Sequence, residues 1–203
     1  MRKTGRPLSF DRTQALDLAM DVFWRHGYDA TSISVLTGEM GITAPSLYAA
    51  FGDKHRLYLE ALDRYMHRPG LELEPLLEST PAAYDAVNYM LIGAARQQTR
   101  PDRPLGCMLM SARVNTPAES PLDQCIIALR NNVLGLIEKR ILRGIEEGDV
   151  PSHASASEMA SFYLMVLQGM SVRARDGAGE KELMTLGRYA LGCWPQLVDL
   201  PLS

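Results

Sequence analysis

The sequence predicts an all-α chain, and three observations carry that prediction. Apolar residues recur at three-four spacing in segment after segment. No stretch alternates apolar and polar residues as a half-buried strand would. Hydroxylic residues, Pro and Gly fall where such helices would begin and end. About nine helices are expected, divided between a small domain and a larger one. The division predicted is a three-helix reading domain with a basic arm over 1–53 and a helical domain over 54–203.

The first helix carries Ala15, Leu16, Ala19, Val22, Phe23 and His26 on one face, with Ser9 as its expected cap. Thr31 is a good N-cap for the second, and Ser32 can serve in the same place. Ile33, Leu36 and Met40 give that helix a buried stripe, and Gly41 suits the positive φ that closes it. Thr43 can cap the third helix, whose first turn holds Pro45 without loss of a backbone donor. Leu47 and Phe51 face inward with Ile42, which leaves Thr43, Ala44, Ser46, Tyr48 and Ala49 outward. Gly52-Asp53 ends this helix, and Asp53 can cap the next. The unit reads as a helix-turn-helix whose second helix enters a DNA groove. An ordinary helical hairpin, or a helical protein-interaction module, would show the same stripes. The small, hydroxylic leading turn and the arm with Arg2, Lys3 and Arg6 favour DNA. Such an arm can follow phosphates or place an arginine in a narrow minor groove; the plainer alternative is a disordered terminus.

A fourth helix from Lys54 to His67 carries Leu57, Tyr58, Ala61, Leu62 and Tyr65 on one side. Arg68-Pro69-Gly70 breaks it, and 72–78 reads as an acidic connector. Thr80 is the expected cap of a helix beginning at Pro81, with Tyr84, Val87, Leu91 and Ala94 inward. Arg100 to Pro104 cannot continue that helix, and a short helix is expected over 106–115. The segment 122–147 is long, with Leu122, Ile126, Leu129, Val133, Leu136, Ile137, Ile141 and Ile145 in repeat. Ser155 and Glu158 have capping-box spacing and open a helix that ends at Asp176-Gly177. The last helix carries Leu183, Leu186, Ala190, Cys193, Trp194 and Leu197.

The composition is that of a soluble globular chain, with 203 residues, 46% hydrophobic and 22% charged. A net charge of −3 excludes a nonspecific nucleic-acid coat but permits specific DNA binding through local cations and helix N-termini. No apolar run follows Arg2 and Lys3, and none approaches membrane-spanning length. Neither a signal peptide nor a membrane partner is expected. Three widely spaced cysteines point to a reducing cytoplasm. The four histidines make no metal or catalytic spacing with other residues, so no cofactor, metal or enzyme activity is expected.

Residues 9–66 resemble the N-terminal domain of the TetR family of bacterial transcriptional regulators. The resemblance runs through Ala15, Phe23, Gly27, Thr31, Ile33 and Gly41, then Ser46, Leu47, Tyr48, Phe51, Lys54 and Leu57. It implies that Thr43, Ala44, Pro45 and Ser46 lie against the groove, and that Thr31, Tyr48 and Lys54 touch the DNA backbone. Ala49 and Ala50 depart from the His or Tyr that many members carry there. The resemblance also implies a homodimer on a palindromic operator and a C-terminal domain that binds a small-molecule inducer. Inducer would shift the linking helix and change the separation of two reading heads. The last two helices are where the family pairs its subunits. Phe162, Met165, Val166, Gly169, Met170, Leu186, Ala190 and Trp194 are the expected interface of a four-helix contact.

The segment 104–115 is similar to a subgroup in which a Gly-Cys pair opens the sixth helix. Cys107 would lie at a helix N-terminus between Arg103 and Arg113, where a thiol is activated. Two readings stand for it: a reactive sensor, or a small buried hydrophobe. Met108, Met110, Arg113, Tyr163 and Gln168 are the candidate ligand contacts beside it. Cys125 and Cys193 read as packing residues.

Overall fold

A computed structural model describes residues 10–70, 72–112 and 120–194. Among the described residues there are nine helices and no strand. They fall into two compact units, Met1–His67 and Arg68–Ser203.

The first unit holds α1 (Arg12–His26), α2 (Ile33–Met40), α3 (Ala44–Phe51) and α4 (Lys54–Met66). Its boundary lies beyond the division expected after residue 53. The reason is the apolar stripe of α4, whose Leu57, Tyr58, Ala61, Leu62 and Tyr65 are all buried. Tyr58 meets Phe23 edge-on at 4.9 Å, and Tyr65 meets Trp24 in the same way at 4.8 Å. Such pairs are worth about 0.5–1.5 kcal/mol each beyond their burial. The caps follow the local chemistry closely. Asp11 caps α1, because its carboxylate directly precedes the first turn and accepts from the Thr13 and Gln14 amides, and Ser9, the expected cap, lies outside the described residues. Ser32 caps α2, Thr43 caps α3 and Asp53 caps α4. Gly41 ends α2 in the left-handed region, at φ 65°. His26, expected inward on α1, is exposed.

The second unit holds α5 (Leu73–Ser79), α6 (Ala83–Gln98), α7 (Pro121–Glu147), α8 (Ala156–Arg175) and α9 (Glu180–Gly192). The expected acidic connector is largely the helix α5. It forms because Leu77 is buried and Leu73 and Leu76 are half-buried, a stripe hidden among the glutamates. Thr80 does not cap α6; its hydroxyl donates to the Leu76 carbonyl at 2.7 Å. Helix α6 starts later than Pro81, and the Ala83 amide donates instead to Asp149 Oδ2 at 2.6 Å. Tyr84, expected inward, is exposed. The helix expected over 106–115 is, within the described residues, a single turn closed by the Ser111 amide on the Cys107 carbonyl at 2.9 Å. Along α7, Leu122, Ile126, Val133, Ile137 and Ile141 form the buried stripe, with Leu129, Leu136 and Ile145 at its margins.

Candidate nucleic-acid interface

Helix α3 is eight residues long and buries only Leu47 and Phe51. Its outward face is small and polar. Thr43, Pro45, Tyr48 and Ala49 are exposed, and Ala44 and Ser46 are half-buried. The Thr43 hydroxyl accepts from the Ser46 amide at 3.4 Å and lies 3.0 Å from the Ser46 hydroxyl. Both hydroxyls therefore sit at the helix N-terminus, where the partial positive charge of the backbone favours phosphate. Lys54 opens α4, with its ammonium 4.2 Å from the centre of the Tyr28 ring. Burial, then the charges of Asp53 and Asp29, push the Tyr28 phenol upward. That phenol stays neutral and offers a donor.

Thr31 is a correction. Its side chain is 1% exposed, and its hydroxyl donates to the Gly27 carbonyl at 2.6 Å. It closes the turn between α1 and α2 from inside, so its side chain is not on the surface that would meet a phosphate. The hydroxyls that are exposed here are those of Ser32 and Ser34, which lie 2.8 Å apart. Arg56 is exposed in the first turn of α4. The sequence reading gave Ser32 only as a possible cap and passed over Ser34 and Arg56. Ser34 and Arg56 follow their helix caps by two and three residues, which was the available signal. Arg2, Lys3 and Arg6 lie outside the described residues.

The family model for bacterial regulatory proteins of the tetR family matches residues 15–61, which span α1 to α4. The whole chain is similar to the HTH-type transcriptional repressor ComR of Escherichia coli (strain K12). They are 36% identical over 203 residues, 97% of this chain and 95% of that one. The chain belongs to the tetR family. It is accordingly a DNA-binding transcription regulator and not an enzyme. A second relative, the HTH-type transcriptional repressor BdcR of the same organism, is 28% identical, covering 93% of this chain and 91% of its own. Among solved structures, a cysteine mutant of the TetR family transcriptional regulator CifR, complexed with 26bp double-strand operator DNA, is 38% identical. It matches with a TM-score of 0.88 over 94% of this chain and 100% of that one.

In the second unit of this tetR-family chain, the turn 107–111 is held from two helices. The Cys107 amide donates to the Ser171 hydroxyl at 2.8 Å, and the Ser111 hydroxyl lies 2.7 Å from it. Arg130 of α7 donates to the carbonyls of Leu109 at 3.1 Å, Met110 at 3.2 Å and Ala112. Cys107 is half-buried and, within the described residues, lies on a single turn. Arg103 is directed at Gln97 Oε1, 3.2 Å away, and Arg113 lies outside the described residues. Met108 is buried, and Met110 and Gln168 are half-buried. Tyr163 is sealed in the core, its hydroxyl donating to the Ala190 carbonyl at 3.4 Å; burial pushes its phenol far up. Tyr163 and Met108 thus pack the interior and present no open wall.

The expected interface residues divide between two environments. Met170, Ala190 and Trp194 are buried within their own chain, with Trp194 against the rings of Tyr163 and Tyr84. Phe162 and Val166 are half-buried, while Met165, Gly169 and Leu186 are exposed. Val172 and Tyr189 are further exposed apolar residues of these two helices and were missed. Met165, Gly169 and Val172 follow one another at spacings of four and three along α8. Cys125 is half-buried, and Cys193 is exposed where packing was expected. Among the described residues no group of His, Cys, Asp or Glu is arranged to hold a metal ion, and no helix is long and apolar enough to cross a membrane.

Proposed function

We propose that this chain is a cytoplasmic repressor that binds a palindromic operator as a homodimer and is released by a small inducer or by modification of Cys107. The observation that carries the DNA part is α3, a short helix with Thr43, Pro45 and Tyr48 exposed and Ala44 and Ser46 beside them. Thr43, Ala44, Pro45 and Ser46 lie against the groove, while Tyr48 and Lys54 hold phosphates. Ser32, Ser34 and Arg56 add to the phosphate contacts, and the arm with Arg2, Lys3 and Arg6 follows the backbone. The relatives are named as repressors, and the CifR mutant is complexed with operator DNA; both support the reading.

Release belongs to the turn around Cys107, as in the Gly-Cys subgroup. A change in volume or polarity at Cys107 acts directly on Ser171 of α8 and, through the turn, on Arg130 of α7. An inducer that prefers the non-binding state needs a coupling of about 1–3 kcal/mol to release DNA. The test is a salt titration of binding to the DNA upstream of the protein's own gene, with random DNA as competitor. Specific binding that weakens steeply with salt is expected. An electrophile should abolish it in the wild-type chain and not in Cys107→Ser. Absence of binding to either DNA at low salt would overturn the regulator reading, and equal electrophile sensitivity in Cys107→Ser would overturn the thiol route.

A further inference from the structure

We infer that Arg12, at the start of α1, sets the pitch of α3 and so governs discrimination of operator from other DNA without touching DNA itself. The inference rests on α3 being the helix that reads the groove. Helix α3 has little else to hold it, because its interior consists of Leu47 and Phe51. The carbonyls of its last turn have no following helical turn to donate to them. The Gly52 amide takes the Tyr48 carbonyl at 2.9 Å. The Ala50 carbonyl is taken by Arg12, through Nε and Nη2, each at 3.3 Å. A guanidinium at this end also complements the helix dipole.

The same side chain makes two further contacts. Its guanidinium lies over the Phe51 ring, 4.4 Å from the centroid, and Nη2 donates to Glu60 of α4 at 2.6 Å. One planar group therefore joins α1, the C-terminal turn of α3 and the middle of α4. Only arginine can do this, since the fork that meets a carbonyl and a carboxylate also has a flat face for the ring. A lysine keeps the charge, but its compact ammonium cannot fill three directions at once. Rotation of α3 about Leu47 would displace Thr43, Pro45 and Tyr48 relative to Lys54, and base edges tolerate such displacement less than phosphates do.

The test uses the full-length chain with Arg12→Lys and, as a nearly isosteric second variant, Glu60→Gln. Operator and random DNA are each titrated with salt, and hydrogen exchange is followed at the α3 amides. Arg12→Lys is expected to lose about tenfold or more in operator affinity. Its affinity for random DNA and its salt slope should stay as in the wild type, and α3 amides should exchange faster. Glu60→Gln should move the same readouts in the same direction by less. A salt slope reduced by about one in Arg12→Lys would make Arg12 a phosphate contact and overturn the inference. So would unchanged operator affinity, or unchanged exchange at α3. Wild-type protein that prefers no operator would overturn the groove-reading premise instead, and the exchange data distinguish that failure from failure of the Arg12 contact.

Discussion

Ser171 lies fully buried on α8, with its hydroxyl accepting from the Cys107 amide and paired with Ser111. Replacing it by alanine removes the acceptor of that part-buried amide. An orphaned buried donor costs about 1–3 kcal/mol, far more than the lost bond is worth net. Ser171→Ala should therefore lower unfolding free energy by that amount in a denaturant titration. Ser161→Ala, on the exposed side of the same helix, should change it by less than about 0.5 kcal/mol. A second residue-scale prediction concerns Asp102, which accepts from Arg100 Nε and Nη2, both at 2.8 Å. That hydrogen bond leads the effects holding its carboxyl down at about 2. The sign follows from a folded value below the unfolded one. The pair's contribution is complete above the ordinary carboxylate value of 3.8 and is lost as pH falls toward 2. A carboxyl titration by NMR should show this midpoint, and Arg100→Gln should return it toward 3.8.

At the scale of the element, two glycines of α7 make opposite predictions. Glycine within a helix costs about 0.5–1 kcal/mol relative to alanine. At Gly135 a Cβ meets nothing within 4 Å, so Gly135→Ala should stabilise the chain by about that amount. At Gly144 a Cβ would lie 2.5 Å from Asp149 Oδ1, 2.7 Å from Val150 Cγ2 and 2.9 Å from Ala83 Cβ. Overpacking of about 1–3 kcal/mol outweighs the helix propensity there. It would also push Asp149 away from the Ala83 amide and uncap α6. Thermal unfolding of the two variants should shift in opposite directions. Gly41 is a different case, since its surroundings are open but its φ of 65° is positive. Gly41→Val should cost about 1–2 kcal/mol through backbone strain alone, and it should weaken operator binding by disturbing the turn before α3.

At the scale of the whole molecule, the outward apolar face of α8 and α9 asks for a second copy of the chain. Met165 is 59% exposed and Tyr189 72%, with Val172 and Leu186 on the same helices. Exposed apolar side chains on two neighbouring helices suit an association site, and a two-fold pair of reading heads suits two operator half-sites. Light scattering at micromolar concentration should report a dimer. The double variant Met165→Glu with Tyr189→Glu should be monomeric, keep its helical circular dichroism and lose operator affinity. A wild-type monomer, or a dimer unchanged by both charges, would remove this interface.

What the sequence determined by itself was local. Caps at Ser32, Thr43, Asp53 and Ser155, the glycine stop at Gly41, and the buried stripes of α1 to α4 and α7 all follow from chemistry within a few residues. The helix proposed to read DNA is legible for the same reason, because a short helix with a small hydroxylic leading turn is a local pattern. The tertiary structure decided everything that depends on a distant partner. Asp149 caps α6 from 66 residues away, and Arg12 reaches Ala50 and Glu60 across 38 and 48 residues. Thr31 looks like a cap and is a core hydroxyl, because the turn after α1 folds over it. The stripes of α8 and α9 show the same limit. Periodicity reveals that a helix has apolar faces, but only packing decides that Met170 and Trp194 go inward while Met165 and Tyr189 stay outside.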